Sequence, residues 1–271
     1  MALKIDSEFN FLVQKASKSS GVALTSYRDS YLRRRIDLRM KVVGIDNYAT
    51  YTRLLDKNKN EMTEFMNAIT INVTEFMRDK TPFSFFQNDI LPNLIEKKKK
   101  SQNNLVRFWS AACSNGDEPY SIGICSREIL PADWSISIYA TDIDEDSLNR
   151  ASKGIYSKEQ LKNLDSALIR KYFEPSGKDF KVKNIHKLSI RFMKHDLTSE
   201  PPVSKHLDAV FCRNVMIYFN EEQKVKMLTD FYNSLSEDGY LIIGKSETFP
   251  EEIRELFAVV SVRDKIYKKR S

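Results

Sequence analysis

The hydrophobic pattern of this chain changes its period near residue 104. Before that point apolar residues recur at helical spacing, as at Phe9, Leu12 and Ala16, which predicts amphipathic helices. After it, short apolar runs such as 105–111 and 135–142 alternate with helical stretches. Such alternation is typical of a mainly parallel sheet with helices on both faces. The sequence therefore predicts a helical domain followed by an α/β domain.

The same pattern gives domain boundaries. Residues 1–80 are expected to form a basic, all-helical domain, and 81–104 a connecting helix, opened by Pro82, and a linker. Residues 105–271 are expected to form the α/β domain. Within it, polar and apolar residues alternate at about 178–196, which predicts a small inserted antiparallel β-ribbon.

The composition excludes several classes of protein. With 41% hydrophobic and 30% charged residues, the chain resembles an ordinary soluble globular protein. It has no long apolar run, and charges interrupt its first apolar positions, so we expect neither a membrane span nor a signal peptide, and a cytoplasmic location. The three cysteines and three histidines lack metal-ligand spacing, so we expect no metal site and no disulfides.

The net charge of +6 is concentrated in the first third of the chain. Six basic and two acidic residues lie between Arg28 and Lys41. Spacings of seven and four residues would place Arg28, Arg35 and Arg39 on one stripe of a helix. The stripe is either an ordinary solvated face or a docking surface for an acidic helix of a partner.

The turn after the first predicted strand, 110–122, combines small residues with acids. Asp117 and Glu118 stand at the start of a helix, where acids are also common caps. The turn is neither a dinucleotide fingerprint nor a P-loop. Acids in this place repel phosphate and favour a ligand with a cationic or hydroxyl-rich end.

Polar residues also follow the later strands. Asp142 ends the second strand, where an acid suits ribose hydroxyls or caps the next helix. Asp196 follows the ribbon, and Arg213, Asn214 and Tyr218 follow another strand, although Arg213 could equally form a structural salt bridge.

The segment 70–79 joins the two predicted domains. Asn72 and Thr74 suit a helix N-cap, and Arg78 would lie one turn after Thr74 on the same face.

Together these segments resemble one family, the chemotaxis receptor methyltransferases called CheR. The resemblance extends over nearly the whole chain and is carried by five segments in order: TINVTEFMRD, SAACSNGDEPYSI, YATDIDEDSL, KHDL and LDAVFCRNVMIYF. It implies an all-helical N-terminal domain and a class I, Rossmann-like methyltransferase domain with a β-ribbon subdomain.

The resemblance also implies an activity and its residues. The expected reaction transfers a methyl group from S-adenosyl-L-methionine to glutamates of methyl-accepting chemotaxis receptors, leaving S-adenosyl-L-homocysteine. Arg78 and Tyr218 would lie nearest the transferred methyl. The residues expected to line the cofactor site are Asn72, Thr74, Arg78, Glu118, Asp142, Asp196, Leu197, Arg213 and Asn214.

The sequence departs from the family at several positions. The family usually has Gly at Ala112, Thr at Asn115 and Glu at Asp117, and we expect cofactor binding to survive these changes. The stretch 173–183 is shorter than in relatives that grip a receptor tail peptide, so we expect no dependence on such a tether.

The expected partner is the cytoplasmic helical domain of a receptor, with the enzyme acting as a monomer. Two alternatives remain: a non-catalytic scaffold that binds the cofactor or its product, and a nucleic-acid methyltransferase. The basic stripe has little aromatic interleaving for base stacking, which disfavours nucleic acid as partner.

Overall fold

The computed structural model describes residues 2–70, 74–183 and 189–270. Within these ranges, no helix has the length and apolar character needed to cross a membrane. The same residues contain no cluster of three or more metal-binding side chains.

The chain forms two compact units. The first comprises Met1–Ile71 together with Tyr218–Lys224, and the second comprises Asn72–Ile217 together with Val225–Ser271. The boundary therefore falls at residue 71 rather than residue 80, and residues 81–104 belong to the second unit. The reason is burial, because Phe76 and Phe86 are completely buried in the core of the α/β unit.

The helical unit is built from helices, as the helical spacing of its apolar residues predicted. Its helices are α1 (Ala2–Ser20), α2 (Asp29–Val42), α3 (Tyr48–Lys57) and α4 (Lys59–Ile69). The side chains of Asn47 and Asn58 cap α3 and α4 by accepting backbone N–H groups. Gly21 and Gly44, which follow α1 and α2, both adopt a φ of +72° that disfavours other residues.

A seven-stranded sheet forms the centre of the α/β unit. Its strands run in the spatial order β6-β2-β1-β7-β8-β10-β9. They are β1 (Leu105–Ala111), β2 (Ser135–Asp142), β6 (Ile190–Lys194), β7 (Leu207–Cys212), β8 (Leu235–Ile243), β9 (Phe257–Ser261) and β10 (Ile266–Lys269). The first five are mutually parallel, whereas β10 pairs antiparallel with both β8 and β9.

Helices precede the first strand and alternate with the later ones, as predicted. They are α5 (Thr81–Phe85), α6 (Leu91–Lys100), α7 (Asp117–Ile129), α8 (Glu145–Lys153), α9 (Ser166–Tyr172) and α10 (Glu221–Ser234). Buried side chains of β1 and α7, including Val106, Phe108 and Ile122, share one hydrophobic core. The predicted fold class, a helical domain plus a Rossmann-like domain with a small antiparallel sheet, is confirmed.

The small sheet differs from the predicted ribbon in its composition. It contains β3 (Ile155–Tyr156), β4 (Phe173–Ser176) and β5 (Asp179–Val182) in the order β3-β5-β4. The prediction was wrong for residues 190–194, since β6 joins the large sheet parallel to β2. Polar and apolar residues alternate both in an edge strand with one buried face and in an antiparallel ribbon. The periodicity of the sequence therefore cannot distinguish the two structures.

Candidate active site

The carboxyl ends of five parallel strands meet at one edge of the large sheet. In sheets of this kind the loops that leave these ends form the ligand site. Here those loops follow β1, β2, β6, β7 and β8. They carry most of the residues that the sequence analysis selected.

The loop between β1 and α7 has an unusual backbone. Ala112, Ser114 and Gly116 all have positive φ, at 63°, 47° and 90°. A Cβ atom at Gly116 would lie 2.8 Å from the Ala151 Cβ and 2.9 Å from the Tyr156 hydroxyl, so only glycine fits. This tight turn brings the start of α7 against the strand ends.

Glu118, in the first turn of α7, lies against the tip of the sheet. Its Oε1 accepts a hydrogen bond of 2.7 Å from Ser110, and its Oε2 lies 3.5 Å from Arg213 Nη1. Burial raises the pKa of Glu118, and the nearby Arg213 only partly opposes this. The charged form of this largely buried acid is therefore not fully compensated by its own partners.

Asp142 joins two of the loops. Its carboxylate accepts the N–H of Ser114 at 2.7 Å and the N–H of Asp144 at 3.0 Å. The alternative that Asp142 caps α8 is wrong, because Asp144 occupies the N-cap and accepts the N–H of Asp146. Burial raises the pKa of Asp142 against the lowering effect of these backbone bonds.

Asp196 and Leu197 follow β6 and lie beside the end of β2. The N–H of His195 donates to the carbonyl of Asp142 at 3.0 Å, which holds the two strand ends together. Asp196 Oδ1 accepts from both the backbone and the hydroxyl of Thr198. Leu197 is 9% exposed, so it can offer only a small apolar surface to a ligand.

The segment after Thr74 forms turns and not a helix, so the prediction that Thr74 and Arg78 share a helical face was wrong. Met77, Asp79 and Lys80 have positive φ, a strained conformation for residues other than glycine. The N–H of Met77 donates to the Ser121 hydroxyl at 2.9 Å. Asn72 lies outside the described residues.

Arg213 holds this strained segment. Its side chain is 2% exposed, and Nη2 donates to Asp79 Oδ2 at 2.8 Å and to the Arg78 carbonyl at 2.9 Å. Arg213 was expected either to line the cofactor site or to form a structural salt bridge. Both roles remain supported, because Arg213 forms ion pairs and also lies beside Glu118. Its Nε atom is buried and has no hydrogen-bond partner among the described residues.

Asn214, the following residue, has a buried acceptor. It adopts a φ of +62°, and its Oδ1 is buried without a hydrogen-bond partner in the described part of the chain. Unsatisfied buried polar atoms cost free energy, which a ligand that supplies the missing partners would recover. S-adenosylmethionine carries amino, hydroxyl and carboxylate groups and a positive sulfonium, so this acid-rich site with an unsatisfied donor and acceptor suits it.

Sequence reasoning missed one residue here and underrated another. Glu247, in the loop after β8, is 2% exposed and accepts the N–H groups of Val215 and Met216 at 2.9 and 2.8 Å. Both oxygens of Asp117 are buried with no hydrogen-bond partner among the described residues, and burial raises its pKa to about 7. The only sequence signal for Glu247 was an acid shortly after a buried strand.

Tyr218 belongs to the helical unit. Its carbonyl accepts the N–H of Arg28 at 2.9 Å, and its ring lies 4.7 Å from that of Tyr31. The predicted role of Tyr218 near the methyl group stays a prediction.

The predicted arginine stripe is divided in the structure. Arg28 is the exposed N-cap residue of α2 and lies outside the helix itself. Arg35 donates from Nε to the carbonyl of Ala68 at 2.5 Å. Arg39 makes a two-pronged ion pair with Glu61, at 2.9 and 2.6 Å, so its charge is already matched within the unit.

Comparison with known proteins agrees with this geometry. Three curated relatives, all named chemotaxis protein methyltransferase, come from Borreliella burgdorferi, Salmonella typhimurium and Escherichia coli. They are 37%, 32% and 31% identical to this chain. The alignments cover 89%, 92% and 90% of this chain and 88%, 86% and 85% of the relatives.

Family models match both units. The model for the CheR methyltransferase all-alpha domain matches residues 7–70, and the model for the CheR methyltransferase SAM-binding domain matches residues 72–266. These ranges include the loops that carry Glu118, Asp142 and Arg213, and the cofactor is S-adenosylmethionine. The chain therefore belongs to the CheR methyltransferase family, as a methyltransferase that uses S-adenosylmethionine.

Proposed function

We propose that this chain is a protein-glutamate O-methyltransferase. It transfers the methyl group of S-adenosylmethionine to glutamate side chains in the cytoplasmic helical domain of methyl-accepting chemotaxis receptors. It acts in the cytoplasm as a monomer. The names of the relatives support the receptor substrate.

The observation that carries the proposal is the incompletely compensated acid cluster at the strand ends. Glu118 and Asp142 are held as acceptors at the tips of neighbouring strands, and burial raises the pKa of both. A cationic sulfonium brought near them would supply missing positive charge, because opposite charges interact strongly at low dielectric. Asp142 is also suited to the ribose hydroxyls of the cofactor.

The expected chemistry needs no general base. A substrate glutamate has an ordinary pKa of about 4.3, so at neutral pH it is already the carboxylate nucleophile. Among the described residues, His195 follows β6 beside these loops, and it has its Nε2 2.8 Å from the Pro201 carbonyl and its ring against Trp109. These two contacts are of the kind that hold a structural side chain, and the proposed reaction assigns His195 no proton transfer.

The transfer is an in-line displacement. The carboxylate oxygen forms a bond to the methyl carbon while the carbon–sulfur bond breaks, leaving a neutral ester and a neutral thioether. Because charge is lost toward the transition state, a site that excludes water favours the reaction.

Arg78 and Tyr218 are proposed to orient the carboxylate or the methionine end of the cofactor. For Arg78 the support is the tight hold on its backbone, since its carbonyl accepts a hydrogen bond from the buried Arg213. Positional control of this kind contributes strongly to rates. We expect Arg78→Ala to lose at least about 100-fold in kcat and to remain folded.

Steady-state kinetics and circular dichroism test this role. The matched control is Arg263→Ala, which removes an arginine with a 76% exposed side chain. Near-normal turnover of Arg78→Ala would refute the assignment, and so would an equal loss in the control.

Receptor docking is proposed to use basic residues of the helical unit. The exposed Arg28 and the half-buried Arg35 remain in this role, whereas the ion pair to Glu61 makes Arg39 a poor candidate. An acidic receptor helix would be attracted over a Debye length of about 10 Å at 0.1 M salt. Receptor KM should therefore rise with added salt, and a salt-independent KM would contradict docking by charge.

The decisive experiment identifies the product bond. The purified chain is incubated with methyl-labelled S-adenosylmethionine and receptor-containing membranes, and the labelled protein is then treated with alkali. Release of labelled methanol indicates carboxyl esters and supports the proposal. Alkali-stable label would indicate nitrogen or carbon methylation, and cofactor binding without transfer would indicate a regulatory scaffold; either result would overturn it.

A further inference from the structure

Glu247 is a buried acid outside every motif that identified the site. It follows β8 in the tight loop that starts at Gly244, where the N–H of Glu247 donates to the Gly244 carbonyl at 2.9 Å. The Gly244 N–H donates back to Glu247 Oε2. A Cβ atom at Gly244 would lie 2.8 Å from both that oxygen and the Asn214 backbone nitrogen, so the loop and Asn214 are packed tightly together.

The other carboxylate oxygen holds the loop after β7. Glu247 Oε1 accepts the N–H groups of Val215 at 2.9 Å and Met216 at 2.8 Å. Several backbone N–H groups thus converge on one carboxylate, an arrangement that resembles an anion-binding nest. These donors, with the N–H of Asn214, oppose the rise in the pKa of Glu247 that its burial causes.

The loop held in this way carries two of the proposed cofactor residues. Arg213 and Asn214 immediately precede Val215, and Asn214 has a φ of +62° that a free chain would tend to leave. The unsatisfied Arg213 Nε and Asn214 Oδ1 depend on this backbone for their direction. No regular helix or strand covers residues 213–215, so side-chain contacts must fix their geometry.

We propose that Glu247 is a positioning residue for the methyl-donor site. It fixes the backbone of residues 214–216, and thereby aims Arg213 and Asn214 at S-adenosylmethionine, without touching the cofactor itself. The inference rests on the proposed cofactor contacts of Arg213 and Asn214 and is independent of the protein substrate.

The main variant is Glu247→Gln. One carboxylate oxygen becomes an NH₂ group, so at least one backbone N–H faces a second donor whichever way the amide turns. Gly244→Ala is the second variant, because it keeps the carboxylate and displaces it through the close Cβ contact. Both should weaken binding of S-adenosylhomocysteine at least about tenfold, measured by isothermal titration calorimetry on the folded full chain.

The matched control is Asp208→Asn at the other end of β7. Asp208 is 3% exposed, accepts the N–H of Arg107 at 2.8 Å and pairs with Lys98 at 2.9 Å. Its loss should lower the melting temperature and leave the Kd for S-adenosylhomocysteine within about twofold. The split between stability and affinity distinguishes positioning from general support of the fold.

A double-variant cycle distinguishes this inference from the proposed cofactor contact. If Glu247 acts through Asn214, the combination of Glu247→Gln with Asn214→Ala should weaken binding little more than either change alone. Loss of affinity in Glu247→Gln but not in Asn214→Ala would reject the Asn214 contact and leave positioning through Arg213. A lowered melting temperature with unchanged Kd in both Glu247→Gln and Gly244→Ala would overturn the inference.

Discussion

Two largely buried arginines, one in each unit, show how a closed ion pair differs from an open one. Arg39 binds both oxygens of Glu61, and Tyr51 adds a hydrogen bond of 2.7 Å to the same carboxylate. Arg213 is shared between Asp79 and Glu118, and its Nε remains unsatisfied among the described residues.

The pKa values of the partner acids shift in opposite directions. The hydrogen bond from Arg39 lowers the pKa of Glu61, whereas burial raises the pKa of Glu118 in spite of Arg213. An ion pair whose charged groups all have partners stabilises the fold and has few unsatisfied atoms with which to bind a ligand. An incompletely matched cluster costs stability until a ligand completes it.

Opening the closed pair is expected to have a large effect on stability. Glu61→Ala leaves Arg39 and Tyr51 without their acceptor and should remove about 3 kcal/mol from the local unfolding free energy. Hydrogen exchange of the α2 amides measures this loss. Glu64→Ala is the control, because Glu64 is 54% exposed, lies 3.8 Å from Arg39 and should matter by less than about 0.5 kcal/mol. Equal effects would contradict the comparison.

Removing charge from the open cluster should affect binding and not folding. Glu118→Gln should lower kcat/KM for S-adenosylmethionine about 10- to 100-fold, since a charged hydrogen-bond partner is lost. Because burial disfavours the charged form of Glu118, its neutral replacement should not lower the melting temperature at pH 7. Glu128→Gln, on the same helix but paired with Lys171 and Tyr172, is the control. If Glu118→Gln unfolded at pH 7, Glu118 would be needed for the stability of the fold, which would contradict this prediction.

Asp117 extends the comparison to an acid that lacks any described hydrogen-bond partner. Its pKa rises from 3.8 to about 7, so the folded state retains the proton to higher pH than the unfolded state does. Stability should therefore fall as pH rises from about 4 to 7, by up to about 1.4 kcal/mol per pH unit from this group.

Urea unfolding of the wild-type chain and Asp117→Asn across this pH range isolates the contribution. The neutral variant should show a flatter dependence than the wild type. Identical pH dependences would mean that Asp117 is compensated in the folded protein.

The smallest expected effect concerns the loop before α7. Ala112 adopts a φ of +63°, which costs free energy for a residue with a Cβ atom. Ala112→Gly relieves this strain but also increases the conformational entropy of the unfolded chain, which opposes the gain. The net effect should be to raise the unfolding free energy by about 0.5 kcal/mol. Thermal unfolding measures it, with Gly116→Ala as the opposite and strongly destabilising change. A loss of stability in Ala112→Gly would show that the loop is not strained there.

The regular elements could be predicted because hydrophobic periodicity fixes them locally. The strands 105–111 and 135–142 coincide with β1 and β2, and Asp142 indeed lies at a strand end. The same periodicity could not reveal which sheet β6 joins, nor that Thr74 lies outside any helix and Arg78 lies in a turn fixed by contacts with other elements.

Long-range partners limited the prediction of the site. Spacing placed Arg39 on a stripe that was expected to be either a solvated face or a docking surface, but spacing does not show Glu61 twenty-two residues later. Glu247 binds the backbone of residues about thirty positions earlier. Because nearly every residue has the same backbone donor and acceptor, the sequence does not indicate such a contact. Side chains that hold loops are therefore harder to predict than those that end strands.

Titration of the purified chain with S-adenosylmethionine by isothermal titration calorimetry tests whether the strand ends form a methyl-donor site. We expect saturable one-to-one binding that weakens in Glu118→Gln and persists in Glu128→Gln. Absence of binding by the folded wild-type chain, or equal affinity in both variants, would contradict a methyl-donor site built around the open cluster at Arg213.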